Sequence, residues 1–79
     1  MKNLDQVVRR AIRAAPCTMR ALAREAGVSH VTLHRILTGH EHASRRVSAK
    51  VASALRRWAA GCEAEATAIE NQLKQKEDL

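Results

Sequence analysis

The sequence predicts an all-α domain of four helices carrying a C-terminal helical extension. Three observations lead there. Apolar residues recur at intervals of three and four along most of the chain, and no stretch alternates with the period of two that a half-buried strand needs. Trp58 is the only aromatic residue, with no Phe or Tyr, so the core must be built from Leu, Ile, Val and Ala, which suits closely packed helices. Gly and Pro are scarce and fall where helices should stop. The 79 residues make one small domain. A core of that size is marginal unless it is idealised, stapled or shared with another chain.

The first helix is expected to start at an Asn3 cap, with Asp5 in its first turn favoured by the macrodipole. Leu4, Val7, Val8, Ala11, Ile12 and Ala15 form its buried stripe, and Arg9, Arg10 and Arg13 lie largely on the other side. Pro16 disfavours helical geometry at Ala15 and ends it there. The next stretch, TMRALAREAGVSHVTLHRILTG over Thr18 to Gly39, organises the rest. Thr18 caps a helix near 18–26 with Met19, Leu22, Ala23 and Ala26 at helical spacing. Gly27 supplies the left-handed residue that ends it, and Val28 plugs the corner. Ser29 caps a helix near 29–38, whose apolar face runs through Val31 or Thr32, Leu33, Ile36 and Leu37 to a second stop at Gly39. Helix, Gly-Val-Ser turn, helix is the spacing of a helix-turn-helix unit, whose second helix enters the DNA major groove.

A loop, HEHA, leads to a fourth helix capped by Ser44 or by Ser48, carrying Val47, Val51, Ala52, Leu55 and Trp58. Gly61 is a candidate stop and divides a body, residues 1–60, from a C-terminal helix, residues 61–79. The segment after it is nonetheless rich in helix formers, and one interior glycine costs only about 1 kcal/mol, so the helix can also continue. Leu55, Trp58, Cys62, Ala66 (or Glu65), Ile69, Leu73 and Lys76 follow one heptad-like seam through Gly61. A helix this polar needs a partner for its stripe, either the body's own core or the same helix of a second subunit. The second fits better, because few apolar residues in the body remain unspoken for. Trp58, Cys62, Ala66, Ile69 and Leu73 are therefore the expected homodimer seam.

The formal charge of +6 is uneven. Residues 1–60 carry twelve Lys/Arg against three acids, and residues 61–79 carry two against five. A basic body suits a polyanion such as double-stranded DNA, whereas the acidic tail should point away from it. The bland reading is a merely solubilising surface. Cys17 and Cys62 form neither a disulfide framework nor a CxxC pair, and read as reduced thiols of a cytoplasmic protein. No N-terminal signal pattern and no bilayer-spanning apolar run are visible, so no membrane partner is expected.

Residues Thr18 to about Trp58 resemble the lambda-repressor-like helix-turn-helix domains, including the Cro/repressor group and the lac-repressor headpiece. The residues that carry the likeness are ALAREAGVS (21–29), TLHRILTG (32–39) and VASALRRW (51–58). With the first helix included it covers about three quarters of the chain, and the residues after Gly61 lie outside it. The resemblance implies a dimer that binds an inverted-repeat operator, usually as a repressor of phage, prophage or plasmid type, associated with the nucleoid. It implies base contacts from His30, Val31, His34 and Arg35. It implies a phosphate held by Ser29, with Thr32 near the backbone or the helix interface, and an α-helical N-terminus at Thr18, Met19 and Arg20 abutting another phosphate. Met19 departs from the polar residue often found at its position.

The side chains suit these roles. Arg35 can donate a bidentate pair to guanine, worth about 1–3 kcal/mol of discrimination; an ion pair to Glu25 or Glu41 is its alternative use. His30 and His34 stand one turn apart and can donate to a base or a phosphate. Val31 would meet a thymine methyl, or else pack in the core. Arg45 and Arg46, beside His40, His42 and Ser44, would grip flanking phosphates, with Arg20 and Arg24 as further candidates; solvated surface charge is the alternative. Arg56 and Arg57 flank Trp58 and are candidates for the dimer surface.

Other chemistries find little support. His30 and His34 have the spacing of a helical metal pair, but the residues between them are Val-Thr-Leu, so there is no HExxH, and no CxxC supplies a structural zinc site. No phosphate-cradling glycine loop or carboxylate pair marks an enzyme, and no metal or cofactor is expected. The rival from another class is an antitoxin or protein-interaction module, whose C-terminal tail binds a partner protein. A symmetric dimer would set its two recognition helices about 34 Å apart.

Overall fold

The computed structural model describes residues 2–77, with side chains over 4–75. It contains four helices, α1 (Lys2–Ala14), α2 (Met19–Ala26), α3 (His30–Leu37) and α4 (Arg45–Glu77), and no strand among the described residues. The expected Asn3 cap and the Lys76 seam position fall on side chains outside the described set.

The punctuation has direct causes. Thr18 is extended (φ −70°, ψ 158°), and its hydroxyl accepts from the Ala21 N–H, starting α2. Gly27 ends α2 at φ 70°, a left-handed conformation that costs an L side chain about 1–2 kcal/mol. Its N–H reaches the Arg24 carbonyl at 3.2 Å and the Val28 N–H reaches the Ala23 carbonyl at 3.0 Å, a complete Schellman closure. The same closure recurs after α3, with Gly39 at φ 83° bonding Ile36 and His40 bonding Arg35. Pro16 stops α1 one residue earlier than expected, at Ala14, although the Ala15 N–H still bonds the Ala11 carbonyl at 3.0 Å. Ser44 is the cap of α4: its hydroxyl accepts from the Val47 N–H at 3.1 Å, while Ser48 sits within the helix and donates back to the Ser44 carbonyl.

The core joins Val8 and Ile12 of α1, Leu22, Ala23 and Ala26 of α2, Leu33 and Ile36 of α3, Ala43 of the loop, and Val51 and Ala54 of α4. α2 packs on both α3 and α4, and α1 packs on α3. Two stripes need correction. Val7 is exposed, because α1 meets the body through the narrower face of Val8 and Ile12. In α4 Ala52 is exposed and Ala54 is fully buried in its place, one turn below the Val51 side of the helix. Arg9 also departs from the outward face: half-buried, it donates from Nε to the Ile36 carbonyl at 2.9 Å and so closes the end of α3.

α4 runs through Gly61 without a break, for 33 residues. No capping residue or proline follows the glycine, and helix formers on both sides outweigh its cost of about 1 kcal/mol. The change near residue 60 is one of exposure instead. Residues up to Trp58 touch the body, and every residue from Ala59 to Gln75 is exposed. This protrusion gives principal extents of 57 × 21 × 18 Å and a radius of gyration of 16.4 Å. A compact chain of this length would have a radius near 12 Å, by about 2.2·N^0.38.

Candidate nucleic-acid interface

Helix α3 is held from below and open above. Leu33 and Ile36 are wholly buried, and Thr32 and Leu37 are half-buried at the margins. That leaves His30, Val31, His34 and Arg35 exposed together on one outward face. Val31 is 54% exposed, so core packing does not account for it. Ser29, extended at φ −68° and ψ 136°, caps the helix by accepting from the Val31 N–H at 3.1 Å.

Arg35 is engaged within the chain. Its Nε donates to the Glu41 carboxylate at 3.2 Å, with both side chains largely in solvent. An exposed pair of this kind is worth about 0–1 kcal/mol, less than the roughly 1–3 kcal/mol of a bidentate guanine contact. Glu41 therefore holds the guanidinium only weakly.

The helix beginnings form a second feature. Thr18 and Arg20 are exposed at the start of α2, and Met19 is half-buried against the core, so its side chain serves packing. Arg45 and Arg46 are exposed in the first turn of α4, and neither forms an ion pair among the described residues. No acid occupies the first turn of α2, α3 or α4. Two arginines at a helix N-terminus oppose the macrodipole, at about 0.3–1 kcal/mol each. No ion pair among the described residues offsets that cost.

The loop between α3 and α4 is fixed from both ends. The Thr38 hydroxyl donates to the His34 carbonyl at 2.9 Å and lies 2.8 Å from His40 Nδ1, which holds that ring beside the end of α3. His42 is drawn elsewhere. Its Nδ1 lies 2.6 Å from Asp5 Oδ2, while Asp5 Oδ1 accepts from the buried Ala43 N–H at 2.8 Å. The His42 hydrogen bond first, and the Ala43 N–H second, hold the Asp5 carboxyl below its ordinary value, against the opposing effect of burial. Asp5 thus anchors the loop to α1. At sequence level it offered only a favourable charge in a first turn, because its partners lie 37 and 38 residues away.

A similar long-range tie was also missed. Arg57 donates to the Glu25 carboxylate at 2.9 Å and to the Glu25 carbonyl at 2.7 Å, locking α4 onto the end of α2. It belongs to the body's own packing more than to an outer surface. Of the seam residues, Trp58 is half-buried, and Cys62, Ala66, Ile69 and Leu73 are exposed in the single chain, Ile69 at 61% and Leu73 at 56%. Both cysteines are free thiols.

Among the described residues, no group of three or more His, Cys, Asp or Glu could hold a metal ion, and no helix is long and apolar enough to cross a membrane. Comparison with known proteins returned no matching family model, no curated relative and no solved structure.

Proposed function

We propose that this chain is a sequence-specific binder of double-stranded DNA that regulates transcription as a homodimer, of the lambda-repressor-like helix-turn-helix kind. The observation that carries the reading is the outward face of α3. There, His30, Val31, His34 and Arg35 stand exposed over two wholly buried anchors, Leu33 and Ile36. Hydrogen-bonding side chains around one exposed valine match what a major groove offers, acceptors on guanine and adenine and the thymine methyl. Ser29, Thr32, Thr18 and Arg20 at the starts of α2 and α3 would approach phosphates through free N–H groups as well as side chains, and Met19 through its backbone alone. His40, Ser44, Arg45 and Arg46 would grip the flank, Arg45 and Arg46 being exposed and without an ion pair among the described residues.

Selection of bound sequences from random DNA at fixed salt tests this directly. A defined, symmetric consensus is expected, with affinity that falls steeply as salt rises. Salt-insensitive or absent binding would sink the proposal.

A second reading, an antitoxin or protein-interaction module, draws on the exposed Ile69 and Leu73 of the long α4. Sedimentation of the isolated protein separates the two. A stable dimer supports the homodimer, and a monomer that associates only with another protein supports the module.

A further inference from the structure

We propose that the exposed half of α4 docks the same segment of a second copy, and that the two copies run antiparallel, with Trp58 of one level with Leu73 of the other and Cys62 level with Ile69. The proposal rests on the homodimer reading above but not on DNA binding.

The direction of the exposed stripe comes first. Each residue of an α-helix turns by about 100°. On that count Trp58, Cys62, Ala66, Ile69 and Leu73 point, on average, within about 40° of the direction in which Val47, Val51, Ala54 and Leu55 meet the body. The body and any partner of the tail therefore lie on the same side of α4, end to end. Over the first half that side is filled by α2, which packs on α4 and grips Arg57 through Glu25. The open groove starts at that point, lined by Glu25, Trp58, Cys62, Glu65 and Ile69. A parallel partner following the seam would drive its own residues 45–57 into the space α2 occupies. An antiparallel partner in this register brings only its residues 74–77 level with residues 57–54, and its body lies beyond the other end.

The spacing allows the reversal. Trp58, Cys62, Ile69 and Leu73 are separated by intervals of 4, 7 and 4, which read the same in both directions. Reversal therefore keeps these four side chains opposite one another, while Ala66 comes level with Glu65. It also evens the layers, setting the large Trp58 against Leu73 and the small Cys62 against Ile69, as a well-filled interface requires. Parallel pairing stacks Trp58 on Trp58 and Cys62 on Cys62. At 1.5 Å per residue, the Val51 levels of the two copies stand about 44 Å apart along the paired helices, so the two bodies sit towards opposite ends of the dimer.

Cysteine cross-linking in the full chain, with Cys17→Ala throughout and diamide as oxidant, tests the direction. Diamide takes up two hydrogens as two thiols become one disulfide. With Cys62 as the only thiol, the protein should stay monomeric on a non-reducing gel. The two sulfurs would sit seven residues apart in level, roughly 10 Å, beyond the reach of about 4.4–6.8 Å between Cα atoms that a disulfide spans. Adding Ile69→Cys while keeping Cys62 should convert the protein to a covalent dimer. Combining Ile69→Cys with Cys62→Ser should abolish the cross-link again. Cross-linking of either single-thiol protein would show parallel pairing and overturn the proposal, as would failure of the two-thiol protein to cross-link. No DNA is present, so failure here leaves salt-dependent DNA binding standing, and failure of DNA binding leaves the cross-link standing.

Discussion

Asp5 shows how a single side chain holds the loop that precedes α4. Replacing it with Ala leaves the buried Ala43 N–H without its acceptor and frees His42, so Asp5→Ala should lower the melting temperature clearly. Asp5→Asn, which can still accept from Ala43, should lower it less. The pH dependence has a defined sign. The folded carboxyl lies below its ordinary 3.8, so its contribution is fully present at neutral pH and is lost as pH falls below that value towards the folded one. Thermal melts between pH 6 and pH 2 should show the wild type losing more stability than Asp5→Asn. At Arg35 the balance of magnitudes makes a different prediction. Arg35→Ala should erase discrimination among operators, a loss of about 1–3 kcal/mol, whereas Arg45→Ala should weaken all DNA alike. Glu41→Gln removes the competing carboxylate and should tighten binding, read by fluorescence anisotropy at fixed salt.

At the scale of elements, two glycines make the same substitution act with opposite signs. Gly27 has open space around a Cβ but a φ of +70°, so Gly27→Ala should destabilise by about 1–2 kcal/mol through backbone strain alone. Gly61 lies inside α4 with nothing near its Cβ position, so Gly61→Ala should stabilise by about 1 kcal/mol. Thermal melts followed by circular dichroism measure both. The elements themselves were legible because their signals are local. Thr18, Gly27, Ser29 and Gly39 act within four residues of where they stand. Periodicity located Leu22, Leu33, Ile36 and Val51 in the core, but not the substitution of Ala54 for Ala52 or the exposure of Val7. Those depend on how narrow a face each neighbour covers, which spacing along one helix does not express.

At the scale of the molecule, a small body carries a long lever. The body buries its apolar residues in one cluster, and the lever presents Ile69 and Leu73 to solvent. Changing both to Glu should leave body and helix folded while producing a monomer in sedimentation. If the dimer supplies both half-sites, affinity for a symmetric operator should then fall far more than affinity for a single half-site. A persistent dimer would place the interface elsewhere.

The sequence by itself determined that the protein is helical, where α2 and α3 begin and end, and that the body is basic and the tail acidic; whether Val31 or Thr32 joined the apolar face of α3 it left open. These follow from caps, left-handed glycines, the 3.6-residue period and charge counting, all of which act over a few residues. Only the tertiary structure decided that Asp5 holds the loop before α4, that Arg9 closes α3, and that Arg57 belongs to Glu25. It also decided that α4 is one helix, unbroken at Gly61. Polar contacts across 27 to 38 residues depend on where distant helices meet, which no local signal along the chain expresses.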